Sequence, residues 1–338
     1  MKLRILAAAM AVALIGGTLT DLRAEAADSV AIRLDWTSWG SHAPYHLAAA
    51  KGWFKEAGLD VSIEDGNGSV TTVQIVGGGE FDLGQASLAP MAIARSKGLP
   101  VKAIAAFARQ NDIGLIYAVD SGIKTIADLK GKTLVYTPGS LETPFLDSFL
   151  AAGGLQRGDV NLLSVEASAK GGTVMMGRAD GGFSSIPFLQ PIVATRVKAD
   201  SLRFADVGLS FPSFGLFATE EKLKEKGDVL RRFASVVAGA WTYILDGHQD
   251  EAVKAIMDAR PQNKLDPKIL RQQIDLLSTF FVTPATQGKP LGTMAAADWQ
   301  QAIEVLSSGG LVEGKADPAA FWTNDYLDPA LIQKIADK

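Results

Sequence analysis

Leu34-Asp35-Trp36-Thr37-Ser38-Trp39-Gly40-Ser41-His42-Ala43-Pro44-Tyr45-His46, running on through Ala48-Ala49-Ala50-Lys51-Gly52-Trp53-Phe54, decides how this chain folds. Val30 to Leu34 reads as a buried strand. Pro44 suits the first turn of a helix, where its missing N–H costs nothing. Between them lies a loop carrying two indoles. Strand-to-helix turns of this kind are where open α/β sheets bind small ligands, and Trp and Tyr offer such a ligand flat faces with polar edges.

The same alternation continues outward. Val61 to Glu64 reads as a strand, Val70 to Val76 as a helix closed by Gly77-Gly78-Gly79, and Phe81 to Ala86 as a strand. Leu88 to Lys97 is helical and Val101 to Phe107 extended. Strands alternating with helices predict α/β with a largely parallel sheet. Gly114 to Val119 reads as a strand passing into another unit. That unit contains strands at 132–136, 161–165 and 179–184, and Leu202 to Val207 with Ser213 to Thr219 brings the chain back. From Lys222 onward the pattern is mostly helical.

Composition limits the function classes. Met1-Lys2-Leu3-Arg4, an apolar run from Ile5 to Leu14 and the small-x-small Ala24-Glu25-Ala26 make residues 1–26 a secretory signal peptide. The apolar run is too short to span a bilayer. Cleavage after Ala26 removes three cations and two anions, taking the formal charge from −4 to about −5. No Lys/Arg cluster marks a nucleic-acid footprint. With 0 cysteines, disulfides, thiolate metal sites and a cysteine nucleophile are ruled out. A mature chain of about 310 residues exceeds the usual single core, so two lobes are expected.

The run Trp36 to Phe54, with Gly58-Leu59-Asp60-Val61 after it, resembles the opening of the periplasmic solute-binding proteins of nitrate/sulfonate/taurine and thiamine-precursor importers. Those proteins show an L-[DN]-W strand end, a helix with His and Tyr, and A-x-x-x-G-x-F-x-x-x-G-L-D-V. The resemblance implies a two-lobed type II periplasmic binding-protein fold, with parallel-rich sheets flanked by helices and two hinge crossovers. It places lobe 1 at 27–112 plus 214–338 and lobe 2 at 113–213. It implies a monomer that passes a small molecule to a membrane ABC permease and its ATPase, with no cofactor and no metal.

Several turns are candidates for the ligand site. Trp36, Trp39, His42 and Tyr45 could sandwich a planar guest and fix its edge; Trp39 and Tyr45 could equally be core. His42 and His46 have i,i+4 spacing, but Ala43 stands where the zinc-protease motif needs Glu. Gly66-Asn67-Gly68-Ser69 precedes a helix, so Asn67, Ser69 and backbone N–H groups can face a ligand. Arg109, near the crossover, could pair with an anion or form a hinge salt bridge. Gly139 permits close backbone approach, and the helix entered near Pro144 aims N–H groups at the cleft. Glu142 either faces the pocket, opposing anions, or is an exposed first-turn acid. Phe183 is a possible stacking ring.

The resemblance adds that the Gly139-Ser140 turn helps hold the anion in sulfonate- and nitrate-binding relatives, and that the Gln85 to Ser87 turn touches ligand. The Leu34-Asp35-Trp36 opening, His42, Tyr45 and Glu142 look closest to the thiamine-pyrimidine-precursor branch, implying an aminopyrimidine-like N-heterocycle. An aliphatic sulfonate, taurine or nitrate is the alternative. A secreted pyrimidine-processing enzyme is another; the related fungal synthases carry a cysteine-rich motif absent here. A periplasmic subunit handing its ligand to a receptor is a further one.

Overall fold

The computed structural model of the protein describes residues 27–313 and 316–338. The expected signal peptide lies outside the described residues. β1 (Asp28–Arg33), β2 (Leu59–Glu64), β3 (Leu83–Ser87) and β4 (Val101–Ala106) belong to a first sheet. β5 (Ile113–Ala118), β6 (Thr133–Tyr136), β7 (Asn161–Ser164), β8 (Gly181–Ser185) and β9 (Ala199–Arg203) make a second. β10 (Phe214–Thr219) returns to the first, giving the orders β2-β1-β3-β10-β4 and β7-β6-β8-β5-β9.

Local sequence accounts for much of this. In β1, Val30 and Ile32 are buried while Ala31 and Arg33 are half-buried, the alternation of a strand with one covered face. β3 is buried throughout, and small residues let its neighbours come close: a Cβ on Gly84 would meet the Phe217 ring at 2.6 Å. The helix Gly227–Tyr243 buries Leu230, Phe233, Val236, Val237 and Trp241, and so completes the first lobe's core.

The sheets are parallel-rich, as expected, and each contains one reversed strand. β1 pairs parallel with β2 and β3, and β6 with β7 and β8. β10, however, runs antiparallel to β3 and β4, and β5 antiparallel to β8 and β9. Both antiparallel strands are those by which the chain enters a sheet straight from a crossover. They start at the interlobe end of the sheet, where its parallel strands finish, and must run the other way.

The two crossing segments are tied to each other. Asn111 Nδ2 donates to the Leu209 carbonyl at 2.5 Å. Asp112 accepts the Ser213 hydroxyl from the second crossing and the Ser185 hydroxyl, at 2.5 Å, from the end of β8. Burial pushes the Asp112 carboxyl up to about 6, although both hydroxyls favour its charged form.

Candidate ligand-binding site between the lobes

The lobes meet at two turns that the sequence offers as separate ligand-binding walls. The Gly139 carbonyl accepts the N–H groups of Val70 at 3.0 Å and Thr71 at 3.3 Å. Lobe 2 thus supplies acceptors for donors that the first turn of the Ser69–Gly77 helix cannot satisfy internally. Glycine is required on both sides. Gly68 has φ 149°, and a Cβ there would lie 2.2 Å from the Gly139 oxygen; Gly139 has φ 78°, and its Cβ would lie 2.4 Å from Thr71 Oγ1.

Beside this contact is an aromatic chamber. Trp36 and Trp39 from the β1 turn each stand edge-on to Phe188 of the lobe 2 helix Ile186–Val193, at 5.9 and 5.7 Å between ring centres. Edge-to-face pairs contribute about 0.5–1.5 kcal/mol each beyond area burial. Asp35, Ser140, Leu141, Ser184, Ser185 and Phe214 complete the lining. The chamber encloses about 10 Å³, room for a single water. A planar guest therefore enters only as the lobes part. The Trp36 indole N–H is buried with no acceptor among the described residues.

The chamber is held from behind on both sides. Asp35 Oδ1 lies 2.9 Å from His42 Nε2, which donates to it, and 3.5 Å from Trp39 Nε1. Gln85 accepts the Asp35 N–H at 3.0 Å and donates to Ser41 at 3.1 Å. Gln273, from the helix Pro267–Ser278, accepts the Gly40 N–H at 2.9 Å and donates to the Phe188 carbonyl at 3.0 Å, so it bridges the lobes.

Glu142 is neither an exposed helix-start acid nor an uncompensated charge facing a guest. It is fully buried, accepts the Lys170 ammonium at 2.6 Å and the Ser140 hydroxyl at 2.6 Å, and takes the Thr137 N–H at 3.3 Å. Lys170 also donates to the Phe183 carbonyl at 2.9 Å, and its ammonium lies 5.1 Å from the centre of the Trp36 ring. Burial pulls the Lys170 ammonium below the usual lysine value, while Glu142 opposes that effect. The pair cancels, so the closed site carries little net charge from it. Cation–π attraction to Trp36, worth about 2 kcal/mol where desolvated, joins the lobes.

Other expected site residues fall elsewhere. Tyr45 is stacked on Phe233 at 6.4 Å in the lobe 1 core. Phe183 packs edge-on to Phe149 and Phe204 at 5.7 and 6.1 Å inside lobe 2, because the inward face of β8 must fill that core. Asn67 is exposed. Ser69 accepts the Ser87 N–H at 3.1 Å, an internal lobe 1 bond, while the Ser87 hydroxyl is buried without a partner among the described residues. Arg109 forms neither an anion fork nor a hinge ion pair among the described residues. It donates to the carbonyls of Ala106 at 3.3 Å and Pro290 at 2.5 Å, and burial lowers it to about 10. His46 is buried, which drives it down to about 3, with the charge of His42 assisting.

Sequence reasoning missed Lys170 and Phe188. Ser184-Ser185-Ile186-Pro187-Phe188 is a strand-to-helix turn like the Trp36 turn, and the same rule could have found Phe188. Lys170 stands alone among small residues and gives no local signal.

The sequence profile of the NMT1/THI5 like family matches residues 39–252, which contain Trp39 and Phe188 of the chamber and the nearby Glu142–Lys170 pair. The chain belongs to this family. Similar to it is the formylaminopyrimidine-binding protein of Halalkalibacterium halodurans, 25% identical over 292 residues, 86% of this chain and 88% of that protein. A 4-amino-5-hydroxymethyl-2-methylpyrimidine phosphate synthase of Saccharomyces cerevisiae is 25% identical over 251 residues, 70% of this chain and 72% of the synthase. The alkanesulfonate-binding protein SsuA from Xanthomonas axonopodis pv. citri, solved bound to MOPS, superposes with a TM-score of 0.65 at 15% identity, over 87% of this chain and 98% of that one. The fold is that of periplasmic binding proteins, as the resemblance implied. The proteins similar to this chain include both a binding protein and synthases.

Proposed function

We propose that this protein is the periplasmic solute-binding component of an ABC importer and that it closes on a small planar N-heterocycle, an aminopyrimidine being the best fit. In this reading, residues 1–26 direct export, lobe 1 comprises 27–112 with 214–338, and lobe 2 comprises 113–213. The supporting observation is the interlobe chamber of Trp36, Trp39 and Phe188 with an unpartnered indole N–H. A flat ring fits between such faces, and a ring nitrogen accepts from the indole. The neutralised Glu142–Lys170 pair suits an uncharged guest better than a sulfonate or nitrate, which would bring a charge with no free cation in the chamber to meet it. The similarity to a formylaminopyrimidine-binding protein points the same way.

Contacts from both lobes make the ligand's affinity for the closed form exceed that for the open form, and only this difference drives closure. The closed surface is then what a permease and its ATPase would recognise, with the binding protein acting as a monomer. A catalytic reading draws on the synthase relatives. The chain's 0 cysteines set it apart from the cysteine-rich motif expected of those enzymes.

Calorimetry of the chain from residue 27 against 4-amino-5-hydroxymethyl-2-methylpyrimidine, taurine, an alkanesulfonate and nitrate tests the assignment. Saturable binding of the pyrimidine, released unchanged on dilution, supports it. Binding confined to the anions overturns the ligand class, and chemical conversion of the pyrimidine overturns the transport role.

A further inference from the structure

Two hydroxyls that line the interlobe chamber are turned by carboxylates behind them. Ser140 and Ser185 are both buried, and both come from lobe 2. The Ser140 hydroxyl donates to Glu142 at 2.6 Å, and the Ser185 hydroxyl donates to Asp112 at 2.5 Å. Both partners accept only: Glu142 is ion-paired to Lys170 at 2.6 Å, and Asp112, although raised to about 6, is mainly ionised at pH 8. A second hydroxyl, that of Ser213, also donates to Asp112 and leaves it no reason to release Ser185.

A serine hydroxyl has one proton and two lone pairs. With their protons directed away, Ser140 and Ser185 can offer a guest only acceptance, and neither oxygen accepts a hydrogen bond among the described residues. Asp35, from lobe 1, adds a further acceptor: Oδ1 takes His42 at 2.9 Å, while Oδ2 makes no hydrogen bond among the described residues. Against these acceptors stands one buried donor without a partner among the described residues, the Trp36 indole N–H of lobe 1. Ser184 also lines the chamber, but its hydroxyl is untethered and can turn either way, so it does not discriminate.

We propose that Ser140 and Ser185 read an exocyclic amino group on the guest, and that Glu142 and Asp112 are positioning residues that fix them as acceptors. This rests on the aminopyrimidine reading above and names the groups that tell an amino from an oxo substituent. In a 4-aminopyrimidine a ring nitrogen that accepts stands beside an amino group that donates. The first meets the Trp36 N–H of lobe 1 and the second the serine oxygens of lobe 2. Both bonds form together only between closed lobes, which favours that form. In the pyrimidin-4-one the order is reversed, since the ring N–H donates and the carbonyl accepts. The indole would then face a donor and the serines an acceptor. A site built around hydrogen bonds rejects such an analogue strongly, because its buried polar groups are left unpaired.

The test compares 4-amino-5-hydroxymethyl-2-methylpyrimidine with the pyrimidin-4-one of the same skeleton by calorimetry at pH 8. The amino compound is expected to bind at least about a hundredfold more tightly, roughly tenfold for each mispaired edge group. Ser140→Ala and Ser185→Ala should each lower that ratio about tenfold by weakening the amino compound alone. A purely structural role would weaken both compounds alike and leave the ratio unchanged, and thermal denaturation confirms that each variant is folded. Equal affinity for the two compounds, or a ratio that survives both substitutions, overturns the assignment of the serines while the aminopyrimidine reading stands. Failure of both compounds to bind the unsubstituted protein overturns both.

Discussion

Replacing Lys170 by Met tests whether the closed, dry interface exists in solution. Lys170 and Glu142 are both fully buried, with Nζ 2.6 Å from Oε1. Methionine keeps the length of the stem and removes the charge. Glu142 would keep the Ser140 hydroxyl at 2.6 Å and the Thr137 N–H at 3.3 Å, but no cation. Breaking a buried pair from one side costs about 3–5 kcal/mol, because a charge is left without compensation. The cation–π contact across the lobes goes with it. Burial favours the protonated form of a carboxyl left alone, so the loss should be largest at neutral pH and shrink as pH falls. Urea denaturation followed by tryptophan fluorescence, from pH 5 to 8, measures this directly. The double variant Lys170→Met with Glu142→Gln should recover most of the loss, since no buried charge then remains. A loss below about 1 kcal/mol, flat with pH, would mean that water reaches the pair, and would refute the closed interface.

Further outcomes follow from the same geometry. Trp36→Ala should weaken aminopyrimidine binding more than tenfold, about 1.4 kcal/mol, by removing a wall of the chamber and its indole N–H; unchanged affinity in calorimetry would remove Trp36 from the site. Gly68→Ala puts a methyl group 2.2 Å from the Gly139 carbonyl at φ 149°, so the lobes should stand further apart; the measurement is the radius of gyration by small-angle scattering, and an unchanged value would count against the turn-to-turn contact. Asp112, raised to about 6, holds its proton more tightly folded than unfolded. Its contribution to stability is full below about pH 4 and is lost as pH rises through 6, so Asp112→Asn should flatten that fall by ~3 kcal/mol in denaturation curves. His46, lowered to about 3, works in the opposite sense. Its contribution is present above about pH 6.5 and lost as pH falls toward 3, so His46→Gln should reduce acid destabilisation by an amount on the order of 4 kcal/mol.

The binding-protein fold with its two crossings came from the family resemblance of the Trp36 to Val61 run, whereas the α/β class, the two lobes and the strand-to-helix turn after β1 were legible in the chain itself. They follow from local causes: apolar alternation with a period of two, proline at a helix start and glycine at turns. Trp36 and Trp39 were legible for the same reason, since a strand-to-helix turn places them at the sheet's edge. The direction of β5 and β10 was not, because local periodicity is the same in either orientation and only the crossover fixes it. Local sequence also left Glu142 with two readings, pocket or surface. The tertiary structure decided otherwise, bringing Lys170 to it from 28 residues away in sequence and burying both. Likewise Gly68 and Gly139 each read as a turn open to a ligand, and became partners only when the lobes met. Tyr45 and Phe183 went to the cores, because a large ring on the inward side of a helix or strand packs where the second layer covers it. Sequence determined which segments could form a binding edge. The assembly of the two lobes decided which side chains face that edge and which charges there are already cancelled.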